Sequence, residues 1–166
     1  MESRKECAEE DFYGTWQLES WQETSLDGKV IYPFGKNAQG YLLYTNDGYM
    51  SGVLMKKKRA HLGISLETLS EIKETLAKPW LIVKVIKSAR GLINYFKGAT
   101  TYFNYGGRFE VVGSQIIHHV DYSLIPDLIG GDQVRNVEFS KGRLTLSVRM
   151  GDRTQVLTWK KARSSE

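Results

Sequence analysis

"DQVRNVEFSKGRLTLSVRMGDRTQVLTWKK", residues 132–161, contains three short runs in which apolar and polar side chains alternate. The breaks between them are Lys141-Gly142 and Gly151-Asp152. Two-residue connections join antiparallel neighbours, because a parallel crossover takes about a dozen residues or more. In "RLTLSVRM", Leu144, Leu146, Val148 and Met150 share one face, and Arg143, Thr145, Ser147 and Arg149 share the other. The stretch therefore predicts a sheet of short antiparallel strands with one apolar side.

The same signals recur upstream. "GGRFEVVG" and "QIIHHVDYSL" are strands joined at Gly113-Ser114, and "IPDLIGG" is a longer connection into "DQVRNVEFS". Nearer the start, "FYGTWQLESWQET" reads as a first strand, followed by the turn pair Asp27-Gly28. "VIYPFGKNAQG" is a short extended piece broken by Pro33, Gly35 and Gly40. "YLLYT" and "YMSGVLM" flank "NDG" at 46–48, a hairpin signal. Only the middle differs. Thr68 and Glu71 form a capping-box pair ahead of Leu69, Ile72 and Leu76, and Pro79 separates them from Ile82, Ile86, Ala89, Ile93 and Phe96 at helical spacing. Two helices are expected between Leu66 and Phe103. The fold class is mostly β: around eight strands with a single helical insertion, in a closed or nearly closed antiparallel barrel.

With 166 residues, one domain is expected: a flexible tail over 1–11, a barrel over 12–162 with its insertion at about 64–103, and a C-terminal tail over 163–166. A 41% hydrophobic fraction supports a core, and four Trp, nine Tyr and six Phe are enough to line a cavity as well. The net charge of +4 is too small to mark a nucleic-acid binder, and "KKKR" at 56–59 lacks interleaved aromatics. Cys7 is the single cysteine and the start has no apolar signal-like run, so a cytoplasmic setting is expected. Trp80–Phe96 is interrupted by Lys84, Lys87 and Arg90, which argues against a membrane span. Peripheral membrane contact ranks below the alternatives for this segment: a lid, in which Trp80 and Phe96 touch ligand, or a homodimer interface.

Candidate chemistry gathers on two strands. "QVRNVEF" directs Arg135 inward with Val137 and Phe139, and a buried charge calls for a partner or water. In "QIIHHVDYSL", Ile116, His118, Val120, Tyr122 and Leu124 form the nominal core face, and Ile117, His119, Asp121 and Ser123 form the other. Alternation leaves both orientations open; a polar-lined cavity would turn His119 inward, and that orientation is adopted. His119, Asp121 and Arg135 are then candidate catalytic residues, an imidazole oriented by a carboxylate beside a guanidinium that holds developing negative charge. Tyr44, Tyr49, Tyr105 and His118 are candidate ligand contacts. Adjacent histidines face opposite ways and His61 is the only other one, so no metal site is expected. The chain has no GxGxxG, Walker loop or GxSxG elbow, and no cofactor is expected.

"GTWQLESW", "GKVIYPFGKNAQGYLLYTNDGYMSGVLM", "YFNYGGRFEV", "IIHHVDYSLIPDLIGGDQVRNVEF" and "GRLTLSV" together resemble the lipocalin-like domain family of small bacterial and fungal proteins. The resemblance covers roughly residues 12–56 and 98–160. It implies an up-and-down barrel crossed by a helical segment, in a family often linked to natural-product biosynthesis. Implied shared positions are Gly14, Trp16, Trp21, Pro33, Gly35, Gly40, Tyr44, Gly48, Tyr49, Met50, Tyr105, Gly107, His118 or His119, Pro126, Gly130, Gln133 and Arg135. It also implies that Trp16 closes the barrel end beneath Lys160, Lys161 or Arg163. The expected function is a cofactor-independent enzyme, an isomerase, cyclase or dehydratase, acting on a hydrophobic natural-product intermediate. The alternative is a non-catalytic carrier of a small hydrophobic ligand. A third reading, a solid barrel acting through its surface, would be favoured by a cavity under about 300 Å³.

Overall fold

The computed structural model describes residues 7–59, 61, 63, 65, 67, 70 and 89–162. The chain divides into two compact units, Met1–Lys57 with Phe103–Glu166, and the inserted Lys58–Tyr102.

The first unit is the barrel. Its strands are β1 (Gly14–Ser25), β2 (Val30–Ile31), β3 (Gln39–Tyr44), β4 (Tyr49–Met55), β5 (Tyr102–Val112), β6 (Gln115–Ser123), β7 (Asp132–Ser140), β8 (Arg143–Met150) and β9 (Arg153–Lys161). Spatial order follows sequence order from β3 to β9, with β1 pairing β3 on one side and β9 on the other. That last pairing closes eight strands into an up-and-down barrel, and the two-residue β2 hangs on the far end of β1. Closure leaves no long open edge, which is the stable way to end a strongly twisted antiparallel sheet. At the β7–β8 turn, Lys141 (φ 50°) and Gly142 (φ 74°) both take left-handed backbone, the combination that a two-residue hairpin of matching twist requires.

Register converts the alternation into a core. Leu144 pairs with Trp159 and Leu146 with Leu157 across β8 and β9, and all four are buried. Phe12, Trp16, Leu18, Leu42, Tyr44, Met50, Leu54, Tyr105, Phe109, Ile116 and Val120 complete the buried set. Order begins ahead of β1: Glu9–Asp11 form a 3-10 turn, and the Trp16 Nε1 donates to the Phe12 carbonyl at 2.6 Å. Lys161 Nζ sits 4.2 Å from the centroid of the Trp16 ring and donates to the Tyr13 carbonyl. Of the three cations expected to cover this indole, Lys161 does so.

Two bulges redirect side chains. On β1 the register slips between Leu18 and Ser20, so that both Leu18 and Trp21 face inward, opposite Trp159 and Leu157. On β6 Asp121 is the extra residue: Gly107 pairs with Val120 and Gly106 with Tyr122. The bulge is admitted by Gly107, where a Cβ would collide with the His119 carbonyl oxygen and crowd the Asp121 amide. Beyond it Tyr122 turns outward, 50% exposed, and lies over Gly106.

The inserted unit contains the helix α1 (Ala89–Ala99). Its C-terminus is satisfied from several directions. Thr101 Oγ1 donates to the Lys97 carbonyl at 3.0 Å, and Arg59 Nη2 donates to the Gly98 carbonyl at 2.8 Å. A guanidinium there also complements the negative end of the helix dipole. The first of the two expected helices falls largely outside the described residues. Among the described residues no helix is long and apolar enough to cross a membrane.

Candidate ligand-binding site

The inner wall of the barrel encloses a cavity of about 220 Å³. Its apolar lining comes from Trp21 on β1, Leu42 on β3, Leu54 on β4, Phe103 on β5, Leu146 and Met150 on β8, and Leu157 and Trp159 on β9. Ile125 and Leu128, beside a 3-10 turn at Pro126–Leu128, add to it. The polar groups are few: Tyr105, Gln133, Arg135 and Gln155. A larger recess, about 970 Å³, lies along Ser114, Asn136, Glu138, Lys141 and Arg143. It is open and mostly polar, so it offers a ligand little shelter from water, and the interior cavity is the better site.

Arg135 reaches the cavity because β6 and β7 place Ile116 opposite Arg135 and His118 opposite Gln133, all on the inner face. The half-buried guanidinium donates from Nη1 to the Val134 carbonyl at 2.9 Å and from Nη2 to Gln133 Oε1 at 3.1 Å. Among the described residues no carboxylate pairs with it. Its inward direction, read from alternation, is what the register produces.

Behind this wall lies a buried polar chain. His118 is 0% exposed; its Nε2 is 2.8 Å from the Tyr44 hydroxyl and its Nδ1 is 2.9 Å from that of Tyr105. Burial, with Arg135 and His119 adding to it, lowers the imidazole pKa from 6.5 to about 3. The ring is therefore neutral at ordinary pH, one nitrogen donating and the other accepting. Burial pushes the Tyr44 hydroxyl well above its usual range, reinforced by Tyr105 and opposed by the charge of Arg135. Tyr105 moves the same way for the same cause, again opposed by Arg135. Two buried indole N–H groups, those of Trp21 and Trp159, have no acceptor among the described residues.

The orientation adopted for the histidine pair is corrected by the structure. His118 points in and His119 points out, its Nδ1 2.7 Å from Asp132 Oδ1 and its Nε2 3.5 Å from Glu110 Oε1. The reason is register: Ile116 and Val120 bring His118 into the core, and the two carboxylates on neighbouring strands hold His119 outside. Asp121 is exposed at the bulge. His119, Asp121 and Arg135 thus do not converge on one site.

Of the expected ligand contacts, Tyr105 lines the cavity, whereas Tyr44 and His118 stand behind it. Tyr49 is 44% exposed, with the Arg108 guanidinium 4.9 Å from its ring centroid and Nη2 donating to its hydroxyl at 3.0 Å. Phe96 is exposed on α1 in the inserted unit, and Trp80 lies outside the described residues. Trp159 also lines the cavity and is not among the candidates read from the sequence, although the alternation of Gln155, Leu157 and Trp159 in "RTQVLTWKK" carries the signal. Among the described residues no cluster of His, Cys, Asp and Glu is arranged to hold a metal ion.

An eight-stranded up-and-down barrel around a small internal cavity is the architecture of lipocalin-type proteins. A lipocalin-like domain profile matches residues 13–83 and 87–162, and the chain belongs to the lipocalin-like domain family. Solved structures similar to the chain include the fluorescent protein UnaG (11% identity, 93% of this chain and 100% of that one, TM-score 0.40). A fatty acid transporter, REP1-NXSQ, is similar at 11% identity over 94% of this chain and 99% of that one, with a TM-score of 0.41. An uncharacterized protein from Bacteroides eggerthii gives 12% identity over 89% and 98%, with a TM-score of 0.40. No curated protein sequence matches the chain.

Proposed function

We propose that the barrel binds a small, mainly apolar molecule in its internal cavity without chemically changing it, in a cytoplasmic setting. The observation that carries this reading is the cavity itself: indole, phenyl and aliphatic side chains around about 220 Å³, with polar groups confined to a few positions. The volume is below the roughly 300 Å³ under which a solid barrel acting through its surface is favoured, so the binding reading holds only for a ligand smaller than drug-sized. The cavity exceeds the ~150 Å³ that suffices for benzene. The occupant is then the size of a single substituted ring or a short acyl chain. The catalytic alternative called for His119 and Asp121 to meet Arg135 at one site, and their separation on opposite faces favours binding.

The test is native mass spectrometry of protein isolated from its own source, with Leu146→Trp as the filled-cavity control. The wild-type protein is expected to retain a small molecule that denaturation releases, and the variant to retain none while keeping the β-rich circular dichroism spectrum. A molecule retained equally by both proteins would place binding elsewhere and end the proposal.

A further inference from the structure

The cavity wall is unequal in its hydrogen-bonding capacity. Arg135 has five N–H donors, of which the described residues engage one at Val134 and one at Gln133. The Trp21 and Trp159 indole N–H groups also lack acceptors, but both are closed off from accessible space and do not count toward a ligand. On the acceptor side, Gln133 Oε1 is already taken by Arg135, and the nearby Glu23 carboxylate is held by Arg153 at 3.3 Å and Gln155 at 3.4 Å. Among the lining side chains the one charge is the positive charge of Arg135, and the amide oxygens are those of Gln133, which accepts from Arg135, and Gln155.

The buried chain adds one further donor. Tyr44 is 1% exposed, and among the described residues its hydroxyl has only His118 Nε2 as a partner. Either tautomer of His118 satisfies one hydroxyl proton; the one taken here lets the fully enclosed Tyr44 donate to Nε2, because Tyr105 lines the cavity and can turn its own proton to a ligand. The imidazole then carries its own proton on Nδ1 and donates it to the Tyr105 oxygen. That leaves the Tyr105 O–H free, on a side chain that lines the cavity.

We infer that the cavity selects a small carboxylic acid, its apolar body among Leu146, Leu157 and Trp159 and its carboxylate held by the Arg135 guanidinium and the Tyr105 hydroxyl. The assignment rests on the binding role proposed above and names its ligand class. A carboxylate supplies what the wall lacks, a negative charge to pair with a half-buried cation, and accepts from the guanidinium N–H groups left over. A neutral isostere offers an acceptor but no charge.

The experiment titrates the full chain, stripped of retained molecules, with 3-phenylpropionate and octanoate and with their neutral amides, by calorimetry at pH 7. The wild-type protein is expected to bind each acid at least about tenfold more tightly than its amide, the scale of one charge-assisted hydrogen bond. Arg135→Gln should bring the members of each pair to within about threefold, and Arg135→Lys should keep part of the preference. The ¹⁵N shifts of His118 should show the Nδ1–H tautomer. Equal binding of acid and amide by the wild-type protein overturns the acid assignment and leaves the binding role standing. Binding of neither pair overturns both. An acid preference that survives Arg135→Gln also removes the assignment.

Discussion

His118 shows how a titratable group becomes a structural one. Its neighbours in the strand are Ile117 and the outward-facing His119, and only the inner face removes it wholly from water. The folded-state pKa of about 3 lies below the 6.5 of an unfolded chain. Between these values the unfolded state binds a proton that the folded state refuses. Stability should therefore decline as pH falls below 6.5, by up to about 1.4 kcal/mol per unit from this group alone, and be indifferent to it above 6.5. Urea midpoints from pH 4 to pH 8 should fall more steeply for the wild-type protein than for His118→Gln; parallel curves would mean that the folded imidazole accepts the proton. Tyr44→Phe, which removes one of the two hydroxyl partners of the buried imidazole, should cost roughly 1–3 kcal/mol in the same assay at pH 7.

Among the elements, strand positions were legible and side-chain directions past a bulge were not. The expected "DQVRNVEFS", "RLTLSVRM" and "RTQVLTWKK" are β7, β8 and β9, because two-residue turns and a clean period of two act together there. Arg135 and Leu146 were placed correctly for that reason. On β6 the extra residue at Asp121 breaks the period, so Tyr122, read as sharing the face of Val120, turns outward. Alternation contains no sign of such a slip; the paired Gly106-Gly107 on the partner strand is the only local hint. His119 was misdirected for a different reason. Its polar partners Glu110 and Asp132 lie on two other strands, and no reading of one strand reveals them. Gly107→Ala tests the bulge, since an added methyl would collide with a backbone carbonyl that has no rotamer to adopt. It should lower stability by about 2–3 kcal/mol in urea denaturation, whereas Gly142→Asn, at a left-handed turn with open space around it, should cost less than about 1 kcal/mol.

For the molecule as a whole, the seam between β1 and β9 decides whether the barrel is closed. Nine register pairs join these strands, and Lys161 over Trp16 covers one end of the seam. Lys161→Met removes the cation–π contact and the hydrogen bond to Tyr13, and should cost about 1 kcal/mol. In a chain of this size that corresponds to a melting temperature lower by roughly 2–4 °C, measurable by calorimetry. Glu23 and Arg153, which meet across the same seam, are separated by 130 residues of chain. During synthesis, then, β1 can zip onto β3 within moments, while its opposite edge must wait for nearly everything else to be translated. A nascent chain stalled before β9 would present that unsatisfied edge to solvent or to another stalled copy. For this protein, the interval between the emergence of β1 and that of β9 is the interval in which that edge is open to misassembly.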